Sequence, residues 1–583
     1  MTIEERIRYH LAFLYGQERT DQTWSELRGL LDKFQQRRGR ACGHSSGLTE
    51  RDAILITYGD SLQIPGQPSL RTLKEFLNTY LSEAVSGIHI LPFYPYSSDD
   101  GFSVIDFRQV NPALGSWEDV AVLGEHHRLM FDAVINHISR QSDWFQAFLR
   151  DETPYRDYFI TPSEDWELSS VVRPRTLPLL TEVETSSGKR RVWTTFSADQ
   201  IDLNYANPQV LLEIVALILF YVEKGATILR LDAIAYLWKE SGTPCIHLPE
   251  THAVIKLLRA VLDLAVPDVL LITETNVPHE KNISYFGERL AGADRTDEAQ
   301  LVYQFPLAPL ILHTFASADT GKLSEWAATL DGQGVFFNFI ASHDGIGVLP
   351  AQGILSEDEV QSLVSRTLAH GGRVSYKSDP DGTQSPYELN ITLYDALNDP
   401  GHPDPFHDID RFIASQAIML SLAGVPGIYI HSLFGSRNCP SCVTATGQAR
   451  SINREKFDFA ALKKLLAAQP ASREARILSS YLHLLNLRRE QPAFHPLASQ
   501  QVISNERGIF SLVRRSLDGK QTIVCLVNIT PESRQIAPGL DPWLPVHSTW
   551  QDLIGGQSFA ATSSGLQITL KPYQSCWFSM TEE

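Results

Sequence analysis

The sequence predicts an α/β protein built on a (β/α)8 TIM barrel. Between residues 48 and 495, short apolar runs alternate with amphipathic stretches, the rhythm of βα units repeated around a parallel sheet. Eight such runs occur, at 53–58, 87–92, 129–135, 227–231, 269–273, 301–305, 334–340 and 427–430. No glycine-rich phosphate loop follows the first run, which disfavours an open doubly wound sheet.

Other segments flank or interrupt this rhythm. Residues 1–47 place Ile7, Leu11 and Leu14, then Leu27, Leu31 and Phe34, at helical spacing before a break at Gly43-His44-Ser45-Ser46-Gly47. They read as an N-terminal helical extension. A Pro-, Ser- and Thr-rich interval at about 138–195 follows the third run and predicts an inserted lobe. A second interval, 371–410, carries Pro380, Pro386, Pro400, Pro403 and Pro405 and reads as an irregular active-site loop. Residues 496–583 change to short alternating runs at 508–514, 522–528, 566–570 and 575–580, with a turn at Asp518-Gly519. This predicts a small antiparallel C-terminal β domain.

Composition narrows the function. Apolar residues make up 43% and charged residues 20% of the 583, an ordinary globular balance. Fifty Lys and Arg against 68 Asp and Glu leave a net charge of −18, which speaks against nucleic acid or an anionic membrane as partner. The opening Met1-Thr2-Ile3-Glu4-Glu5-Arg6 has no basic leader or apolar core, and the apolar stretch 214–222 falls short of the roughly 20 residues needed to span a bilayer. A cytoplasmic location is expected. The six cysteines are read as thiols: four are scattered, and Cys439-Pro440-Ser441-Cys442 has zinc or redox spacing without a second ligand pair.

In a barrel, reactive groups sit where strands end. The third run ends Asp132-Ala133-Val134-Ile135-Asn136-His137, the fourth Arg230-Leu231-Asp232-Ala233, the fifth Glu274-Thr275-Asn276 and the seventh Ser342-His343-Asp344. Any one carboxylate there is ordinarily a helix cap or a solvated charge. Several together suit glycoside chemistry, which needs one carboxylate as nucleophile and one carboxylic acid to protonate the leaving oxygen. Arg230 lies two residues before Asp232, on the same strand face, where its charge holds Asp232 ionised.

These segments resemble the four signature regions of the α-amylase superfamily of retaining glycoside hydrolases and transferases (glycoside hydrolase family 13). Leu91-Pro92-Phe93-Tyr94-Pro95-Tyr96 and the following Asp99-Asp100-Gly101-Phe102-Ser103 narrow the resemblance to its sucrose-phosphorylase-like branch. The resemblance implies Asp232 as nucleophile, Glu274 as acid and then base, and Asp344 as stabiliser of the oxocarbenium-like transition state. It further implies that Asp99, His137, Arg230, His343 and Arg454 hold the glucosyl hydroxyls and that Phe102 lies beside the ring. Arg175, in Arg173-Pro174-Arg175, becomes the phosphate contact and Tyr236 an acceptor-side aromatic. As bare residues, Arg173 and Arg175 could equally be solvated loop charges or pair with acids of the lobe.

The acceptor side departs from sucrose phosphorylases. The stretch from Glu274 to Gly287 resembles the glucosylglycerate phosphorylase subgroup, shared with sucrose 6′-phosphate and glucosylglycerol phosphorylases, and Tyr387-Glu388 stands where sucrose phosphorylases tend to have Tyr-Gln. The expected activity is reversible phosphorolysis of a small α-glucoside, 2-O-α-D-glucosylglycerate first, to α-D-glucose 1-phosphate. Glucosylglycerol, sucrose and sucrose 6′-phosphate remain alternatives, as does a hydrolase or transglucosidase of the same superfamily. A glycerate carboxylate would need cations, for which Arg175, Arg437 and His279 are the candidates. Inorganic phosphate is a co-substrate, and no metal or organic cofactor is expected, since no calcium-loop pattern is present. A homodimer is a further expectation from the resemblance.

Overall fold

The structure, a computed structural model, describes residues 1–37, 47–290, 295–378, 383–503, 506–536, 549–560 and 568–580. Residues 43–46 of the expected break, Cys42, Pro380 and residues 566–567 lie outside them. Eight parallel strands close into a barrel in chain order: β1 (Ile54–Thr57), β2 (Gly87–Ile90), β3 (Arg128–Ala133), β4 (Ala226–Leu231), β5 (Leu270–Thr273), β6 (Leu301–Tyr303), β7 (Val335–Asn338) and β8 (Val425–Tyr429). Each overlaps one of the eight predicted runs. The strands are buried almost throughout because helices cover one face and the barrel interior the other, so they read as apolar runs without alternation. Most runs outlast their strands because the chain leaves the sheet still apolar, as at Leu91-Pro92 and Val134-Ile135, before the polar residues begin.

The N-terminal residues form α1 (Ile3–Tyr15) and α2 (Gln17–Arg37). Thr2 and Glu5 close a capping box at the start of α1. Both helices pack on barrel helices α3 (Pro208–Glu223) and α4 (Pro249–Ala265). Ile7 and Leu11 are fully buried, and Arg6 pairs with Asp263 of α4 at 3.1 Å. Tyr15 donates its hydroxyl to the Tyr205 carbonyl just before α3. The extension is therefore an outer layer of the barrel.

Between β3 and β4 the chain builds the lobe. It opens with strand His137–Ser139, carries helix Asp143–Leu149 and hairpin Leu180–Thr185/Gly188–Trp193, and returns through Gln200–Asp202, which pairs antiparallel with the opening strand. The returning strand lies beyond residue 195, where the Pro/Ser/Thr-rich composition ended. Buried Lys239 ties this lobe to the barrel, donating to Asp202 at 2.6 Å and to the Asn136 side chain at 3.0 Å.

Among the described residues, the interval 371–410 is irregular only in part, chiefly over 398–407. Arg373–Ser378 and Gln384–Asn390 form an antiparallel pair extended by Ile346–Gly347, followed by helix Leu393–Leu397. Its prolines suggested a loop, but Pro386 sits where the register shifts: Ser375 opposes Glu388, Tyr376 opposes Pro386, and Tyr387 is the extra residue of a bulge. The thiol reading also needs correction. Cys439 and Cys442 are joined in a disulfide, whereas Cys245, Cys525 and Cys576 are free and buried.

The C-terminal segment forms a six-stranded antiparallel sheet in the order Ser499–Val502, Ile509–Arg515, Thr522–Asn528, Ser575–Met580, Thr549–Asp552, Ser558–Ala560. A two-stranded pair, Arg534–Ile536 with Ile568–Leu570, accompanies it. Arg514 of this sheet is fully buried and donates to the Ser421 carbonyl of the barrel at 2.8 Å.

Candidate active site

The register of the barrel assembles its charged centre. Asp132 of β3 is the cross-strand partner of Arg230 of β4, and both are buried. Arg230 donates from Nη1 to Asp132 and, at 2.8 Å, to Asp232, while its Nη2 lies 3.8 Å from Glu274. His89, at the end of β2, holds the other Asp132 oxygen at 2.7 Å. One buried guanidinium thus links three carboxylates, flanked by the Phe102 ring at 5.7 Å and the Tyr303 ring at 5.3 Å. Burial alone would raise the Asp132 carboxyl, but Arg230 and then His89 outweigh it and hold it at about 2.

Asp232 and Glu274 titrate differently. Burial pushes both carboxyls up to about 7; Arg230 opposes this, and Asp344 adds to it for each. Two buried acids around one cation share a proton. Glu274 is its better seat, since Asp232 accepts from Arg230 at 2.8 Å while Glu274 is 1 Å further off and accepts from the Ala233 backbone N–H at 3.1 Å. Asp344 is the reverse case. Burial would raise it, yet Arg450, then His343 and Arg454, hold it well below the usual carboxylate range. Arg450 Nη1 lies 2.7 Å from the Asp344 carboxylate, and His343 Nε2 lies 3.5 Å away.

Aromatic and backbone contacts shape the rest. The His343 ring stacks on Phe102 with centroids 5.0 Å apart and planes 5° off parallel. His137 Nε2 and Gln200 Nε2 both meet the Phe102 carbonyl, at 2.9 and 3.1 Å. Burial lowers the His137 pKa, so this ring is neutral. Gly101 makes the turn before Phe102 feasible: its φ is +110°, and a Cβ there would sit 2.6 Å from the Pro92 carbonyl oxygen. The result is a pocket lined by Asp99, Phe102, His137, Arg175, Asp232, Tyr236, Glu274, His343, Asp344, Tyr387 and Glu388. A carboxylate beside a carboxylic acid, with a third carboxylate kept ionised, can form and break a glycosyl ester.

The alpha amylase catalytic domain family matches residues 77–345. The chain is 47% identical over 580 residues to the glucosylglycerate phosphorylase of Allomeiothermus silvanus, spanning 99% of this chain and 98% of that one. It is 50% identical over 536 residues to the glucosylglycerate phosphorylase of Spirochaeta thermophila, spanning 90% and 89%. The chain belongs to the glucoside phosphorylases of the α-amylase family. In fold, this phosphorylase matches the crystal structure of sucrose 6F-phosphate phosphorylase from Thermoanaerobacter thermosaccharolyticum, with a TM-score of 0.71, 23% identity and coverage of 90% and 98%.

Several expected residues of the phosphorylase lie elsewhere. Arg230 and Arg454 do not line the pocket. Arg230 sits beneath it, and Arg454 stands behind, donating to the His343 carbonyl at 2.7 Å and to Asp100 at 2.6 Å. Their charge reaches the pocket through the carboxylates they hold. Arg437 is bound to Asp395 at 2.8 Å and faces a different cavity, while His279 contacts Gln333 at 3.2 Å and is absent from the lining. Neither reaches the pocket, because Arg437 is taken up by Asp395 and His279, on the short helix His279–Ile283, is turned toward Gln333. Arg175 is in place: among the described residues it has no acid partner, and its guanidinium lies 5.9 Å from the Tyr387 ring centroid.

Arg450 went unassigned in sequence although it opens the segment Arg450-Ser451-Ile452-Asn453-Arg454. Its Nη1 meets Asp344, while Nε and Nη2 grip both oxygens of Glu388, the Nε contact being 3.0 Å. Glu388 is 1% exposed, so its acid is a neutralised clamp on Arg450, where an unpaired carboxylate would repel an anion. The sequence held a signal for this pair, namely an acid in place of an amide, but its partner is 62 residues away. Phe196, Gln200, Thr275, Asn276 and Val277 also line the pocket without having been singled out.

Proposed function

We propose that this phosphorylase transfers the glucosyl unit of 2-O-α-D-glucosylglycerate reversibly to inorganic phosphate, giving α-D-glucose 1-phosphate and glycerate. The observation that carries the substrate assignment is 47–50% identity, over about nine-tenths of the chain or more, to proteins named glucosylglycerate phosphorylase. In this scheme Asp232 attacks the anomeric carbon, and Glu274 gives its proton to the departing glycerate oxygen, leaving a β-glucosyl ester on Asp232. Phosphate then enters on the vacated side and displaces Asp232, and the second inversion restores the α configuration. Asp344 stabilises the positive charge that develops on the ring in both steps.

Asp99, His137 and His343 hold the sugar hydroxyls and Phe102 lies against the ring. Arg230 and Arg454 act from behind. Arg175, with Tyr236 and Tyr387, meets the acceptor. Glycerate and phosphate are both anions that occupy the same side of the anomeric carbon in turn, so one cation-lined subsite serves both half-reactions. Carboxylates supply the nucleophile, the acid/base and the charge stabiliser, and activity is expected to survive dialysis against a chelator. A cytoplasmic homodimer completes the proposal, tested by cell fractionation and sedimentation velocity.

The decisive assay is run in both directions. Glucose 1-phosphate should form from glucosylglycerate only when phosphate is present, and in synthesis glycerate should be preferred over glycerol, fructose and fructose 6-phosphate. Equal glucose release with and without phosphate would reject phosphorolysis, and a preference for another acceptor would reject the substrate. Asp232→Asn should lower turnover by about 10³-fold or more with the fold intact.

A further inference from the structure

We propose that Cys439 and Cys442 form a thiol–disulfide exchange site that sets how firmly Arg450 is held against Asp344. The pair sits at the surface eight residues before Arg450: Pro440 and Ser441 are exposed, Cys442 is half-buried and Cys439 is buried. An incoming thiol therefore meets the Cys442 sulfur first. A dithiol reductant attacks as its thiolate at Cys442 Sγ, the S–S bond breaks, and its electron pair leaves on Cys439 Sγ, which takes up a proton. The second thiol of the reductant then displaces Cys442 as a free thiol, and the reductant departs as a cyclic disulfide.

Two sets of contacts connect this pair to the catalytic pocket. The Cys439 backbone N–H donates to the Ile452 carbonyl at 2.9 Å, inside the turn Ala449–Asn453 that carries Arg450. The Thr446 hydroxyl bridges the Cys442 carbonyl and the Ser451 hydroxyl, at 3.0 and 2.7 Å, and Asn453 donates to the Asp344 carbonyl at 3.0 Å. Preceding the disulfide, Asn438 accepts from the Thr392 backbone N–H at 2.9 Å, just beyond the strand that holds Glu388. Helix Pro440–Thr446 spans only seven residues, too short to persist without tertiary support, and the covalent ring closes its first turn. Opening that ring loosens the scaffold from which Arg450 reaches both Asp344 and Glu388. A ring this short restrains the unfolded chain little, so the effect on turnover is graded. In a reducing compartment, disulfides are characteristically transient and sensing rather than structural.

The activity readout rests on the function proposed above; a second readout does not. Purified enzyme is treated with dithiothreitol and alkylated, and the labels are mapped to Cys439 and Cys442. Hydrogen–deuterium exchange is followed over residues 447–454, and kcat for phosphorolysis is measured in parallel. Reduction should speed exchange in this segment and lower kcat by about three- to tenfold, and reoxidation should restore both. The double variant C439S/C442S should behave as the reduced enzyme and ignore dithiothreitol. Full labelling of both thiols with exchange and kcat unchanged would overturn the proposal, as would a disulfide that resists reduction in the native protein or a response that persists in the double variant. If no glucoside is turned over, the substrate reading fails while the exchange experiment still decides the site.

Discussion

Arg230 illustrates how one residue can set the protonation of its neighbours. Buried among Asp132, Asp232 and Glu274, it makes an otherwise repulsive cluster tenable and leaves one proton shared by the last two. Glu274 then carries a stability signature. Burial raises its folded pKa from 4.5 to about 7, so the native state binds the proton more tightly than the unfolded chain. That stabilisation is fully present below pH 4.5 and is lost as pH rises through 7. Glu274→Gln should therefore be more stable than wild type at pH 8 and differ little from it at pH 5, as scanning calorimetry would show. Arg450 makes a separate prediction. Because it is the foremost group holding Asp344 ionised, Arg450→Gln should raise the Asp344 pKa and move the acid limb of the kcat/KM profile to higher pH. An unmoved limb, with activity merely scaled down, would indicate a purely structural role.

Among elements, the insertions add Arg175 and Tyr387 to the pocket, on the side proposed to take the acceptor. The bulge at Tyr387 turns that ring into the pocket, and the Arg173-Pro174-Arg175 loop of the lobe brings Arg175 over it. Neither segment has a periodic apolar pattern, so neither was legible as structure. The prolines of 371–410 were read as loop because proline removes a ladder donor, yet a bulge tolerates one. Arg175 has no carboxylate to neutralise it among the described residues, so its charge is free for an anion. Arg175→Ala should raise KM for phosphate about tenfold or more, with a smaller effect on glucosyl-enzyme formation, as pre-steady-state kinetics would separate. An unchanged KM for phosphate would remove Arg175 from the subsite.

At the level of the whole molecule, α1 and α2 are part of the barrel's outer shell, with Leu11 fully buried against α4. Leu11→Ala should cost about 2–5 kcal/mol of stability with kcat unchanged, which denaturant titration and activity assays would show together. The eight strands and the carboxylates at their ends were legible from sequence alone because barrel strands are locally apolar and a barrel places reactive groups at one known edge. Asp232, Glu274 and Asp344 follow from that logic and from the resemblance of their motifs. What tertiary structure alone decided is which cations face the pocket. Arg437 and His279 turn away, Arg454 stands behind, and Arg450 bridges Asp344 to Glu388. Strand identity is written in local periodicity, whereas a long side chain's partner depends on groups brought together from 60 to 110 residues away, here Glu388 at 62 and Asp344 at 106, and no local pattern carries that pairing.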